Sequence, residues 1–394
     1  MNRYRGLDVL RGFGVFFLLG LHSAFYYFGG LYHLDLNNPP LIITILGFLL
    51  MFAGLFAILS GFGHTISMER DFQNGTPVGK IIKKKLVAGL VILVVAYAYF
   101  IFTGPGIVHF ETESMNNSIL VELIQSGTLV GTNWERVLYI DSLVMIGTNI
   151  VLLGVLYPLL MKKKWNTPWV LGGLAVGVML LSLLRIPLYS VYLNAVDQGQ
   201  WWLILLLNGL VNKNNPILPF FAFALTGALV VKLYALKKQK IILIIAPILL
   251  VGGIIAYTQL PDTMLERLID MKWYSIMVAQ LGIFLLMVML FMKLNSVKTN
   301  PITHFFERIG IASLTAFFFE SILSACVFRL LSAIFPGFNL DITGALIYGF
   351  CLAFTWGFIM MLIEKFHFRF TIDALYGKLV SKITPSHKLE RLKE

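Results

Sequence analysis

Residues 3–28 read RYRGLDVLRGFGVFFLLGLHSAFYYF, a run long enough to cross a bilayer as one helix that nevertheless carries Arg11 and His22. The solvent decides how these residues are read. The 394-residue chain is 58% hydrophobic and only 13% charged, with a mean hydropathy of +0.82, which excludes an ordinary soluble domain. The run is too long and too rich in glycine and aromatic residues for a cleaved signal sequence, and no small-residue cleavage site follows it. It is therefore expected to be the first span of an all-α, polytopic transmembrane helical bundle.

Windows of about 20 apolar residues, the length a helix needs to cross the hydrocarbon core, predict spans near 8–31, 41–67, 86–107, 140–161, 168–188, 216–236, 241–259, 273–293, 309–335 and 342–364. That makes ten helices; around 189–215, QWWLILLLNGLVNKNNP reads as an interfacial or re-entrant helix or as half of an eleventh span. With the N-terminus inside, 25 of the 31 Lys and Arg residues fall in inner connections, so both termini are expected in the cytoplasm. The net charge of +11 then reflects topology and attraction to membrane lipids, and no nucleic-acid partner is expected. The organisation read here is one bundle over 1–364, with a sizeable outer loop at 108–139, followed by a basic amphipathic cytoplasmic tail over 365–394. Cys326 and Cys351 lie in apolar runs and predict neither a disulfide nor a metal site. Whether the chain forms a homodimer stays open.

At about 100° per residue, the eleven steps from Arg11 to His22 come within roughly 20° of three full turns, placing both side chains on one face about 16 Å apart. Asp8 lies one turn before Arg11 and can pair with it, the usual way an intramembrane charge is tolerated. Snorkelling toward the interface accounts for Arg11 equally well. His22 sits deeper, where a polar group faces a cavity or a partner helix. It is either a buried hydrogen-bonding residue or a general base.

Glu320 in the ninth span is the second conspicuous polar group. Read as one helix from Arg308, the segment places Glu320 about 18 Å deeper, comparable in depth to His22, on a polar stripe with Ser313 and Ser324. A carboxylate on one ring nitrogen would fix the tautomer of His22 and support its imidazolium; a protonated Glu320 bonded to a backbone carbonyl or serine is the alternative. Asp141 and Asn149, two turns apart, are candidates for an acceptor pocket. His64 and Ser60, one turn apart near the inner end of the second span, are candidates to border a donor entrance, although an interfacial role suits His64 as well.

The LDVLRG pattern, with a histidine eleven residues after its arginine, resembles the motif of the integral-membrane acyltransferase family three, and FAGLFAILSGFGHTI (52–66) resembles that family's second helix. DSLVMIGTNIVLLGVLYPLL (141–160), PILPFFAFALTGALV (216–230) and RIGIASLTAFFFESIL (308–323) are more similar to the YeiB-like and heparan-glucosaminide N-acetyltransferase-like branches. The resemblance implies that cytosolic acyl-CoA, most simply acetyl-CoA, donates its acyl group to a hydroxyl or amine of an extracytoplasmic acceptor, a glycan or lipid-linked carbohydrate, without a metal. It implies His22 as the catalytic histidine, with His33 as the counterpart of the outer histidine of the heparan-type enzymes. CoA phosphates need cations near the inner face, and Arg11, Arg308 and the lysines at 80 and 83–85 are available, arginine binding phosphate bidentately. Direct transfer and an acyl-histidine intermediate both stay open. A transporter or flippase, or a noncatalytic membrane partner, would show similar intramembrane polar residues, but no inverted repeat is found. A multi-pass protein of the cell membrane is expected.

Overall fold

The computed structural model describes residues 4–33, 52–139, 142–211, 215–261 and 270–385. Nine helices among them are long and apolar enough to cross a membrane, which makes this an integral membrane protein of helical-bundle type. Lipid offers no partner for backbone groups, and helices satisfy theirs internally.

The chain forms α1 (Arg5–Tyr26), α2 (Ala53–Gln73) and α3 (Val78–Ala98), the last ending in a π turn at Tyr99–Thr103. A connection follows with a small antiparallel hairpin, β1 (Ile107–His109) and β2 (Ser114–Asn116), and two short helices, α4 (Ile119–Ser126) and α5 (Trp134–Leu138). Then come α6 (Ser142–Lys162), α7 (Pro168–Leu181), α8 (Arg185–Asp197), α9 (Trp201–Val211), α10 (Ile217–Ala235), α11 (Lys240–Gln259) and α12 (Met271–Met292). The chain ends with α13 (Pro301–Ile311), α14 (Ser313–Ile334), α15 (Ile342–Lys365) and α16 (Ile372–Ile383).

Each predicted span has a helix, although the first part of the 41–67 window lies outside the described residues. Within the uncertain 189–215 stretch lies the 11-residue α9, about 16 Å long and too short to span. It is tied down by polar bonds: the buried Arg185 donates to the Val211 carbonyl and Asn208 donates to the Leu138 carbonyl.

The expected ninth span is two helices. Ala312, at φ −113° and ψ 36°, leaves helical geometry and separates α13 from α14. No proline or glycine occupies that position, so the break is set by packing and by what caps the second helix.

Ion pairs and hydrogen bonds place both described ends of the chain at one end of the bundle. Arg5 bonds Glu307, Arg308 bonds Glu364, and Asp373 of α16 bonds the first turn of α14. At the opposite end, Gln125 of α4 donates to the Tyr27 hydroxyl and Arg329 of α14 donates to the Gln125 carbonyl.

Helix α1 runs through the middle of this arrangement, packed on α13 and α15. Its backbone meets theirs directly. A Cβ at Gly12 would run into the Phe306 carbonyl, one at Gly310 into the Asp8 carbonyl, and one at Gly349 into the Gly20 carbonyl. Small residues of this kind let membrane helices approach closely where burial from water supplies no driving force between them. Replacing Gly12 by Val therefore forces α1 and α13 apart. We expect a destabilisation of at least about 2 kcal/mol, at the upper range of overpacking, read as a lower thermal midpoint in detergent; Gly79→Ala, at a position with open space around it, serves as the unaffected control.

Candidate functional site

A buried polar contact joins three helices. His22 leaves α1 one turn before its end, and its Nδ1 lies 3.0 Å from Glu320 Oε1. Glu320 leaves α14 seven residues after its start and is 3% exposed. Tyr99, the first residue of the π turn that ends α3, donates its hydroxyl to the same Oε1 at 2.7 Å. A π turn widens the helix by one residue and is often found at functional positions. Here it sends the Tyr99 hydroxyl inward while Phe100 stacks on Tyr139.

Phe317 packs against both the His22 and Tyr99 rings, holding the polar groups in an apolar frame. The second carboxylate oxygen, Oε2, is buried with no hydrogen-bond partner among the described residues. Ser324 turns to its own helix, donating to the Glu320 carbonyl, so the serine of the expected stripe does not touch the carboxylate.

With Glu320 ionised, the imidazole carries its proton on Nδ1 and donates it to Oε1. Nε2 is then a free acceptor, without a protein partner among the described residues, on a side chain that is 23% exposed. The unit can take a proton at Nε2, and the carboxylate stabilises the resulting cation.

The connection after the π turn is fixed over this end of the bundle by Arg136. Its guanidinium donates to the carbonyls of Phe100, Pro105 and Asn116 and lies over the Phe100 ring.

A second polar region lies on the same α1 nearer its start. A groove with a volume of about 290 Å³ runs between α1 and α2, lined by Asp8, Arg11, Gly63, Ser67 and Arg70 among others. Arg11 is 3.6 Å from Asp8, the pairing expected from the sequence. Beside the groove, the Lys85 ammonium, on a residue 3% exposed, lies 3.2 Å from His64 Nδ1. Gly154 of α6 leaves room for the lysine stem, since a Cβ there would collide with it. Neighbouring Lys84 is paired with Asp71 at 2.7 Å. Arg70 and Lys85 have no carboxylate partner among the described residues. Ser60 is half-buried one turn before His64.

Other candidates go elsewhere. Arg308 does not open the long helix that carries Glu320, because the break at Ala312 puts it on α13. Its Nε lies 2.6 Å from Glu364 Oε2, and it lines a separate cavity of about 370 Å³ with Thr299, Asn300 and His304. Asn149 is fully buried against α10, its amide donating to the Phe220 carbonyl and contacting Met145 Sδ. Asp141 lies outside the described residues. His33, itself exposed, ends the short turn Leu31–His33, in which Leu31 is buried, and no bond among the described residues joins it to the pair.

Sequence reasoning missed Tyr99 and Arg70. YAYFIFTGPG (97–106) carries the helix end in its Gly-Pro-Gly, but nothing in it marks which aromatic turns inward.

No protein-family model and no curated protein matches this chain.

Removing the Tyr99 hydroxyl leaves Glu320 with His22 as its only side-chain donor among the described residues. Losing a hydrogen bond to a buried charged group costs about 1–3 kcal/mol. Tyr99→Phe should lower the thermal midpoint in detergent, whereas Tyr26→Phe, at a tyrosine that does not hydrogen-bond Glu320 among the described residues, should not.

Proposed function

We propose that this protein is a membrane acyltransferase that moves an acyl group, most simply acetyl, from CoA entering at the α1 N-terminal end to a hydroxyl or amine presented at the opposite end. The observation that carries the reading is the His22–Glu320–Tyr99 unit, with Nε2 of His22 unengaged among the described residues, and a cation-lined groove along the helix that carries His22.

The geometry supports the following chemistry. Nε2 of His22 accepts the proton of the acceptor hydroxyl or amine as its heteroatom attacks the thioester carbonyl. The new C–O or C–N bond forms, the C–S bond breaks, and the imidazolium returns the proton to the departing thiolate. Glu320 holds Nδ1–H throughout and offsets the positive charge on the ring. Tyr99, by donating to Oε1, holds the carboxylate turned toward Nδ1.

Arg11 and Arg70 line the groove, and the Lys85–His64 pair lies beside it. Guanidinium groups suit phosphates because their planar donors engage two oxygens at once. The pantetheine arm would then run along α1 over the roughly 16 Å that separates Arg11 from His22. The cytosolic location of the groove follows from the Lys and Arg asymmetry. The acceptor side is the end covered by the 104–139 connection, which suits a glycan or lipid-linked acceptor on the far side of the membrane.

Loss of a general base typically costs about 100- to 10,000-fold in rate. His22→Ala should abolish transfer from acetyl-CoA to within that range while CoA affinity stays near wild type. Glu320→Gln should also be slow, and adding it to His22→Ala should cost little more, because residues acting as a unit are non-additive. Transfer at a near wild-type rate by folded His22→Ala would falsify the mechanism.

Arg11→Ala should weaken CoA binding measured calorimetrically, with Arg11→Lys restoring it only in part because a point charge cannot reproduce the planar fork. Unchanged affinity in Arg11→Ala would reduce Arg11 to a structural partner of Asp8.

A further inference from the structure

The final helix is joined to the helix that carries Glu320 by an unusual reciprocal contact. The break at Ala312 opens a new helix N-terminus at α14, whose first amides have no intrahelical acceptor. Asp373 of α16 supplies one. Its Oδ1 accepts from the Leu314 amide at 3.2 Å, and its Oδ2 accepts from the Thr315 amide at 3.0 Å and the Thr315 hydroxyl at 2.7 Å. In return, Thr315 Oγ1 accepts from the Ile372 amide at 2.9 Å, in the first turn of α16. Each helix start caps the other, across 57 to 59 residues of sequence.

An N-terminal cap normally comes from the residue just before the helix. Ala312 has no side chain able to do this, so the capping of α14 rests on α16. Burial raises the Asp373 carboxyl above its ordinary value, while the hydrogen bonds from Thr315 and the backbone oppose that rise. Further along α16, Val380 is buried with Ala88 and Ile92 of α3 and Ile150 of α6. The tail helix therefore touches both α14, which carries Glu320, and α3, which ends at Tyr99. Glu320 lies five residues beyond Thr315, about 7.5 Å along the helix.

We propose that Asp373 and Thr315 are positioning residues for the reaction: their mutual cap, held by α16, sets the height and rotation of α14 at which Glu320 meets His22 Nδ1 and the Tyr99 hydroxyl. This rests on the acyltransferase reading for its kinetic consequence, but its geometric content concerns the His22–Glu320 contact alone. A displacement of about 1 Å in a reacting group can cost on the order of 100-fold in rate. A helix that loses its cap at one end has the freedom to move by that much.

The test uses the full chain in detergent or nanodiscs. Asp373→Ala and Thr315→Val should each lower kcat by about ten- to a hundredfold with the KM for acetyl-CoA unchanged, because the groove at Arg11 is untouched. Thr315→Ser, which keeps the hydroxyl bonded to both Asp373 and Ile372, should restore the rate. The second readout is the imidazole ¹⁵N spectrum of histidine-labelled protein, with the His22 signals assigned by their loss in His22→Ala. In the wild type Nδ1 should be held protonated, whereas in Asp373→Ala and Thr315→Val the two tautomers should average.

Folded Asp373→Ala with an unchanged His22 spectrum and unchanged kcat would overturn the proposal, as would a Thr315→Ser variant as slow as Thr315→Val. Should Asp373→Ala fail to fold, the Thr315→Val and Thr315→Ser pair decides. Should the wild-type protein transfer no acyl group, the acyltransferase reading fails and the His22 spectrum alone decides the positioning role.

Discussion

A carboxylate buried in the hydrocarbon region must find donors or give up its charge. Taking an isolated ion out of water costs several kcal/mol even after the surroundings relax, and Glu320 is almost completely buried. Its two donors come from different helices, His22 from α1 and Tyr99 from the end of α3. The pair therefore constrains the mutual height of three helices. The close approach of α1 to α13 and α15 and the break between α13 and α14 both serve that alignment. If either helix slid by a turn, roughly 5.4 Å, the carboxylate would lose its partners.

The sequence carried the helical class and the approximate spans, because a lipid-exposed helix has to be apolar along its length. It also carried the meeting of His22 and Glu320, since both are rare polar residues and depth can be counted in helical rise. That count began from Arg308, on a helix that stops before α14, so the depth agreed although the helix was not continuous.

What could not be read was set by contacts distant in sequence. Ala312 is a good helix former, and the new start there rests on packing and on a cap from Asp373, 61 residues later in the chain and outside any local motif. Arg308 reads as a free cation until Glu364, 56 residues later, is placed beside it. Lys85 reads as one more basic residue of an inner connection, until folding buries it against His64 and Gly154. Tyr99 is one of 15 tyrosines in the chain, and a π turn leaves no compositional trace.

Among the described residues the hydrogen bonds of the Arg136 guanidinium all go to neutral backbone carbonyls. Such a clamp depends less on ionic strength than an exposed ion pair, which salt screens, and it fastens the 104–139 connection at the base of the β1–β2 hairpin. The turn at Glu111–Glu113 is exposed and lies beyond this anchor. Loop tips of this kind tolerate insertions well. The hairpin tip is thus a natural place to graft a rigid epitope or a fiducial domain for particle imaging of a 44.3 kDa protein that otherwise offers little mass outside the bilayer, without touching the helices that meet at Glu320.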